Sequence, residues 1–342
     1  MSTFSRCTTA FVLLALANAT YTIPLRVPRR LSNDGVSVFG GVLSDGYIAC
    51  TIYVGRDEQP FDVVLDTGSP LTIVPCNTCH DCGEHSHYHP GSDTVWGDRF
   101  RIHYVEGSKL EGRFLTAPVR LHNTVLPSAQ IGCASVMTNQ FRSQNADGIL
   151  GLDADGILET YMSRNGALAK TFALHLSRSS DRLLLGLEPP STYNVACPML
   201  KHGGNFYIRF DSMSVGEHLL ETEFPRLLID SGTTYIYLKP DLLNPLRKLL
   251  QRDYGFESAH NSEIGCVASL DEVPETLVIT GPNECQIELR PIHWIVHRSA
   301  GFCAAIYDTG WGNDNTFGLV ALEERETTFI FGDNPSIRMR NV

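Results

Sequence analysis

Short apolar and β-branched runs, separated by turn residues, extend along most of the chain. Residues 47–54 form one such run, residues 55–60 have the composition of a turn, and residues 61–65 form the next run. Leucines recur at helical spacing most clearly in residues 240–254. The pattern therefore predicts a mostly-β chain with few helices.

One sequence pattern occurs twice, each time at the end of an apolar strand. The two copies are Asp66-Thr67-Gly68-Ser69 and Asp230-Ser231-Gly232-Thr233. Each copy is followed later by an apolar run that ends in glycine, at Gly151 and at Gly332. Duplication of a lobe-sized unit explains this order better than chance does. We therefore expect two related β lobes, each supplying one of these loops.

An aspartate in such a loop is suited to catalysis. The glycine allows a tight turn that directs the carboxyl inward, and the neighbouring hydroxyls can bind the carboxylate or the facing loop. Two carboxyls brought side by side share one proton, because both cannot ionise easily. The ionised member can activate water while the protonated member polarises a carbonyl, a known pattern for such pairs. Asp66 and Asp230 are therefore the candidate catalytic residues.

A single Asp-Thr-Gly is weak support, because the same residues suit an ordinary turn. Asp308-Thr309-Gly310 lacks the preceding apolar strand and is interpreted as a turn.

The paired motifs resemble those of pepsin-type (family A1) aspartic proteases, from about residue 45 to the C-terminus. The segments that resemble the plasmepsin V-type and nepenthesin-related branch most are residues 74–85, residues 104–108 and residues 330–334. The resemblance implies a bilobal β fold with a cleft between the lobes. It also implies a hairpin flap over the cleft, with Tyr104 as its tyrosine and Glu106 and Gly107 beside it as substrate-binding residues.

Three features depart from this resemblance. Ile73 stands where pepsin has a tryptophan that supports the flap, so the flap must be held in another way. The cysteine-rich insert is shorter than in the branch. The chain ends ten residues after Gly332, so we expect the C-terminal lobe to lack the final strand, as in a fragment or a truncated isoform.

The expected segments are a signal peptide (1–19), a propeptide-like or flexible lead (20–44), an N-terminal lobe (45–190) and a C-terminal lobe (191–342). The signal peptide is indicated by Arg6, a short apolar core and the Ala17-Asn18-Ala19 site. We therefore expect entry into the secretory pathway, with a final location in the endoplasmic reticulum or Golgi, in a vacuole or outside the cell. No later segment is apolar enough to predict a membrane span.

The formal charge of −11 argues against nucleic acid as a partner. We expect a monomer that acts on protein or peptide substrates and needs no cofactor.

Ten cysteines bear on the fold and on metal binding. Cys266 and Cys303 enclose a stretch like the disulfide loop of the second pepsin lobe, which implies that they pair, and the other pairings are left open. A group of three cysteines and three histidines has ligand types that suit zinc. An oxidising compartment favours disulfides instead, and no metal is predicted. That group is Cys76, Cys79, Cys82, His85, His87 and His89.

The sequence predicts an aspartic endopeptidase of the EC 3.4.23 type. Glu106 predicts a preference for a basic side chain on the non-prime side of the substrate. The alternative is that its carboxylate faces solvent and contacts no substrate. The competing functions are a pepsin-fold binding protein without catalysis and an inactive truncated product. Both Asp motifs are intact, which favours the enzyme.

Overall fold

The protein is described from a computed structural model. It describes residues 21–24, 30–31, 37–38, 46–92, 94–104, 107–121, 124–153, 156–158, 170–177, 181–186, 196–202, 205–259, 262–310 and 314–342. The expectations for the signal peptide and for Glu106 lie outside these residues.

Strands dominate the described residues, so the mostly-β prediction is confirmed. In chain order they are β1 (Tyr21–Pro24), β2 (Arg30–Leu31), β3 (Ser37–Val38), β4 (Ala49–Val54), β5 (Gln59–Asp66), β6 (Ile73–Pro75), β7 (Trp96–His103), β8 (Lys109–Leu121), β9 (Thr124–Met137), β10 (Gly148–Gly151), β11 (Thr171–Leu176), β12 (Arg182–Leu185), β13 (Cys197–His202), β14 (Asn205–Arg209), β15 (Ser212–Val215), β16 (His218–Glu221), β17 (Arg226–Ile229), β18 (Ile236–Leu238), β19 (Glu257–Ala259), β20 (Ser262–Val267), β21 (Leu277–Thr280), β22 (Gln286–Leu289), β23 (Ile295–Arg298), β24 (Gly301–Ala304), β25 (Ile306–Asp308), β26 (Asn315–Phe317), β27 (Arg325–Ile330) and β28 (Ser336–Asn341).

Helices are short, apart from the one that the leucine spacing predicted. Those that lie wholly within the described residues are α1 (Gln140–Ser143), α2 (Pro240–Asp253) and three 3-10 turns at Leu270–Glu272, Pro291–His293 and Leu319–Leu322. α2 begins with Pro240 at its first turn, where a missing N–H costs nothing. Its buried face consists of Leu242, Leu243, Leu246, Leu249 and Leu250. None of the helices in the described part of the chain could cross a membrane.

Two large sheets organise the fold. The first has the order β4-β5-β10-β6-β9-β8-β7, and β4 also pairs with β8, so this sheet closes on itself. The second has eleven strands in the order β1-β12-β11-β27-β28-β13-β14-β17-β26-β18-β25. Its first six strands come from the start, the middle and the end of the chain. The apolar core is continuous across both sheets and contains side chains as large as Phe61, Phe172, Phe206 and Trp294.

The expectation of a missing final strand was wrong for the described residues. β28 follows Gly332 and pairs with both β27 and β13, so no unpaired edge is left there. The cause is a misassigned repeat. Gly332 lies in the turn between β27 and β28, whereas the glycine run that matches the first lobe ends at Gly318.

Spacing carries a signal for the correct repeat. Gly151 follows Asp66 by 85 residues, Gly318 follows Asp230 by 88, and Gly332 follows Asp230 by 102. In the structure, β10 lies parallel to β5 and β26 lies parallel to β17, so both halves contain the same pair of strands.

Candidate active site

The two aspartates lie at equivalent ends of parallel strand pairs. β5 ends at Asp66, which lies opposite Gly151 of β10. β17 ends at Ile229, opposite Phe317 of β26, and the amide of Asp230 donates to the carbonyl of Phe317 at 2.9 Å. The buried strands bring the backbone of both loops to fixed positions, so the carboxyls do not depend on flexible segments.

The loops approach so closely that only glycine fits at their tips. A Cβ added to Gly68 would overlap the Asp230 carboxyl, and one added to Gly232 would overlap the Asp66 carboxyl. Each glycine therefore makes room for the aspartate of the facing loop. This is the close backbone approach for which glycine is required.

Reciprocal hydrogen bonds join the two loops. The amide of Thr67 donates to the Ser231 hydroxyl at 3.1 Å, and the amide of Ser231 donates to the Thr67 hydroxyl at 2.9 Å. The Thr67 hydroxyl donates to the Ile229 carbonyl at 2.8 Å, and the Ser231 hydroxyl donates to the Leu65 carbonyl at 2.7 Å. Both hydroxyl residues are fully buried. The four bonds therefore fix one loop against the other without contribution from solvent.

Further donors hold each carboxyl. The amide of Gly68 donates to Asp66 at 2.9 Å, and the amide of Gly232 donates to Asp230 at 2.8 Å. The Thr233 hydroxyl adds a bond of 2.5 Å to Asp230. Ser69 does not play the same part, because its hydroxyl accepts from the amide of Leu71 at 3.2 Å.

The electrostatics favour a proton on the pair. Asp66 is only 8 % exposed, and burial together with the nearby charge and hydrogen bond of Asp230 raises its pKa well above the usual range. The Gly68 amide opposes this shift, and the charge of the buried Asp153 adds to it. A carboxyl pair of this kind can share one proton and supply both an acid and a base.

Tyr104 lies between β7 and β8 of a hairpin. The amide of Gly107 donates to the Tyr104 carbonyl at 3.0 Å, and the backbone of Gly107 has φ +93°, which favours glycine. The ring of Tyr104 packs on Phe141, with centroids 4.7 Å apart. Sequence reasoning missed Phe141, because nothing in its local pattern marks a contact with a hairpin 37 residues away.

The cysteines described form four disulfides and leave Cys50 buried and free. The pairs are Cys76–Cys133, Cys79–Cys82, Cys197–Cys285 and Cys266–Cys303. Burial raises the pKa of Cys50 to about 12, so its thiol is inert.

The zinc alternative fails, because Cys76, Cys79 and Cys82 are all consumed in disulfides. His85 instead contacts the Phe141 carbonyl at 2.8 Å.

The third Asp-Thr-Gly forms a turn. The amide of Gly310 donates to the exposed Asp308 at 2.8 Å, and Gly310 has φ +74°. Its sequence matches the first motif. In the described part of the chain, however, it does not face a second Asp-Thr-Gly or Asp-Ser-Gly loop.

The family profile of eukaryotic aspartyl proteases matches residues 46–339. The chain belongs to this family. Cathepsin E of Mus musculus is 29 % identical over 269 residues, which cover 72 % of this chain and 66 % of that protein. The vacuolar aspartic protease of Candida albicans is 27 % identical over 279 residues, covering 75 % of this chain and 65 % of that protein. Chymosin of Camelus dromedarius is 30 % identical over 205 residues, 54 % of each chain.

The matched regions thus span about half to two thirds of these aspartyl proteases. The family match, residues 46–339, includes both aspartate strands and the hairpin that carries Tyr104.

Proposed function

We propose that this chain is an aspartic endopeptidase in which Asp66 and Asp230 form the catalytic pair. One observation carries the proposal: the carboxyls of Asp66 and Asp230 each lie against the glycine of the facing loop, in loops that reciprocal hydrogen bonds hold in contact. Family membership supports the same chemistry.

The reaction follows from one proton on two carboxyls. The ionised carboxylate removes a proton from a water molecule, which attacks the scissile carbonyl, while the protonated carboxyl donates to the carbonyl oxygen. The pair then donates a proton to the amide nitrogen as the C–N bond breaks. It takes one back from a hydroxyl of the tetrahedral intermediate as the carbonyl re-forms, so the original protonation state returns. Gly68 and Gly232 hold the carboxyls by their amides throughout, so little reorganisation is needed.

Asparagine substitutions test the assignment. Asp66→Asn and Asp230→Asn keep the shape of the side chain but cannot act as base or share the proton, so we expect each to lower kcat by at least about a thousandfold. The matched control is Asp308→Asn, which alters the third Asp-Thr-Gly in an exposed turn and should leave kcat unchanged. Turnover of a peptide library by purified protein, with and without pepstatin, is the measurement.

Two results would contradict the proposal. Normal turnover by either asparagine variant would remove that aspartate from the mechanism. Absence of pepstatin-sensitive turnover by the native protein would favour a pepsin-fold binding protein instead.

A finer proposal concerns the substrate. We propose that Glu106 reads an arginine on the non-prime side, as the resemblance of residues 104–108 to the plasmepsin V-type branch implies. The support is its position in the sequence, two residues after Tyr104. A charge-assisted pair is worth about 1.5–3 kcal/mol, so an arginine peptide should be preferred about ten- to a hundredfold over a neutral one.

Glu106→Gln should abolish this preference and leave cleavage of the neutral peptide unchanged. Equal cleavage of the two peptides by native protein would leave a general endopeptidase.

The secretory pathway is the proposed location. Four disulfides are typical of an oxidising compartment, and the proposed signal peptide would direct the chain there. N-terminal sequencing of mature protein checks removal of residues 1–19. We propose a monomer, which light scattering would test.

A further inference from the structure

Asn139 has a backbone conformation that a residue with a side chain rarely adopts. Its φ is +50° and its ψ is −118°, at the point where β9 leads into α1. Crowding between Cβ and the backbone makes this region favourable for glycine and costly for other residues. A strained residue persists where the surrounding structure requires it, and such positions cluster at functional sites.

The side chain of Asn139 contacts the hairpin that carries Tyr104. Its amide nitrogen donates to the carbonyl of Gly107 at 3.1 Å. Glycine at position 139 would relieve the backbone but could not make this bond. The contact therefore gives a reason for asparagine at a position whose backbone favours glycine.

Neighbouring contacts join the same two segments. The amide of Lys109 donates to the Thr138 hydroxyl at 2.9 Å, and the amide of Thr138 donates to the Lys109 carbonyl at 3.1 Å. Phe141, two residues beyond Asn139, is buried and supports the ring of Tyr104. The segment from Thr138 to Phe141 thus holds both the hairpin turn and the tyrosine ring.

Ile73 lies in the same apolar cluster as Phe141, with Tyr104 packed against it. An isoleucine has no ring or N–H to hold a tyrosine, so orientation of the hairpin turn must come from other groups. Asn139 and Phe141 provide a directional hydrogen bond and an aromatic contact.

We propose that Asn139 is a positioning residue, which holds the Tyr104 hairpin in its working position at the expense of backbone strain. The inference rests on the proposed endopeptidase function. Asn139 does not touch the reacting atoms. It acts through Gly107, and Phe141 assists it by packing on Tyr104.

The proposal predicts that activity and stability separate. Asn139→Gly removes the hydrogen bond and the strain together, so we expect KM to rise and kcat/KM to fall about three- to tenfold, while Tm stays the same or increases. Asn139→Asp turns a carboxylate oxygen toward the Gly107 carbonyl, so kcat/KM should fall by more than in Asn139→Gly. The pH profile should keep its shape in both, because Asn139 has no contact with the aspartate pair.

Asn283→Gly is the matched control. Asn283 also has a positive φ, of 57°, but is exposed, in the turn before Cys285. Its replacement relieves backbone strain but removes no contact with the Tyr104 hairpin, so KM and kcat/KM should not change.

Hydrogen exchange supplies a readout that does not need activity. The amides of Gly107 and Lys109 should exchange several times faster in Asn139→Gly than in native protein, also in an Asp66→Asn background. Unchanged KM and unchanged exchange in Asn139→Gly would overturn the proposal, as would an equal loss of kcat/KM in Asn283→Gly. If the native protein shows no turnover, the endopeptidase proposal fails, and the exchange rates alone decide whether Asn139 holds the hairpin.

Discussion

In both aspartate loops, the amide two residues after the aspartate donates to its carboxyl. The hydroxyl of the following residue, however, has a different hydrogen-bond partner in each loop. Thr233 donates to Asp230, whereas Ser69 accepts from the backbone of its own loop. Asp66 is also the more buried of the two aspartates. A duplicated sequence has therefore produced two similar backbones with unequal surroundings for the charge.

The inequality matters because it influences which of the two carboxyls carries the shared proton. An extra hydroxyl donor stabilises negative charge, and burial opposes it. The two loops are alike in the hydrogen bonds that join them, and they differ in the hydroxyl donors and the burial of their carboxyls. Three sets of substitutions test these two statements.

The largest effect is expected where the loops are alike. Thr67→Val and Ser231→Ala each remove a buried hydroxyl that makes two hydrogen bonds and leave a buried amide without its acceptor. Each should lower the free energy of unfolding by about 2–4 kcal/mol. Urea unfolding measures this, with Ser135→Ala on the surface as the control. A large cost for only one of the two would show that the loops do not hold each other equally.

A smaller effect is expected where the loops differ. Thr233→Val removes a donor from the aspartate pair, so the acidic limb of the kcat/KM profile should move to higher pH, by about one unit. Ser69→Ala should leave that limb in place, because its hydroxyl bonds the Leu71 amide instead. Equal shifts in the two variants would remove the distinction between the loops.

The smallest effect concerns stability and pH. The pKa of Asp66 is raised by burial and by Asp230, so between the ordinary aspartate pKa and the folded value the folded state holds a proton that the unfolded state has lost. The stabilising contribution is present below the ordinary aspartate pKa and is lost as pH rises through the folded value. Asp66→Asn should therefore raise the urea midpoint at pH 7 and leave it nearly unchanged at pH 3. A midpoint that does not change at pH 7 would mean that burial of Asp66 costs nothing.

Sequence alone could locate the aspartate loops, because each motif follows a run of apolar residues that must be buried. It misplaced the second glycine run for a physical reason. β26 is three residues long and contains Asn315 and Thr316, whereas the strongly apolar residues 329–331 lie at the end of β27 and in the turn after it. Apolar composition reports burial, and it does not report which strand lies alongside.

The contacts of the Tyr104 hairpin could not be predicted for a related reason. Ile73 showed that a usual contact was missing, but the replacement, Phe141, comes from a different part of the chain. Its contact with Tyr104 depends on how β9 and α1 pack against the hairpin. Strain at Asn139 is likewise a property of the backbone, and asparagine in a loop is too common to signal it.

The order of strands in the eleven-stranded sheet sets a delay on the synthesis of this protein. β11 pairs with β12, which the ribosome makes within seconds, but its other edge pairs with β27, about 150 residues later. At about 5–20 residues per second, that edge stays open for roughly 8–30 seconds. For this period a row of unpaired backbone groups is exposed to any other nascent chain. The open edge of β11 is thus a site where a chaperone would protect the unfinished chain.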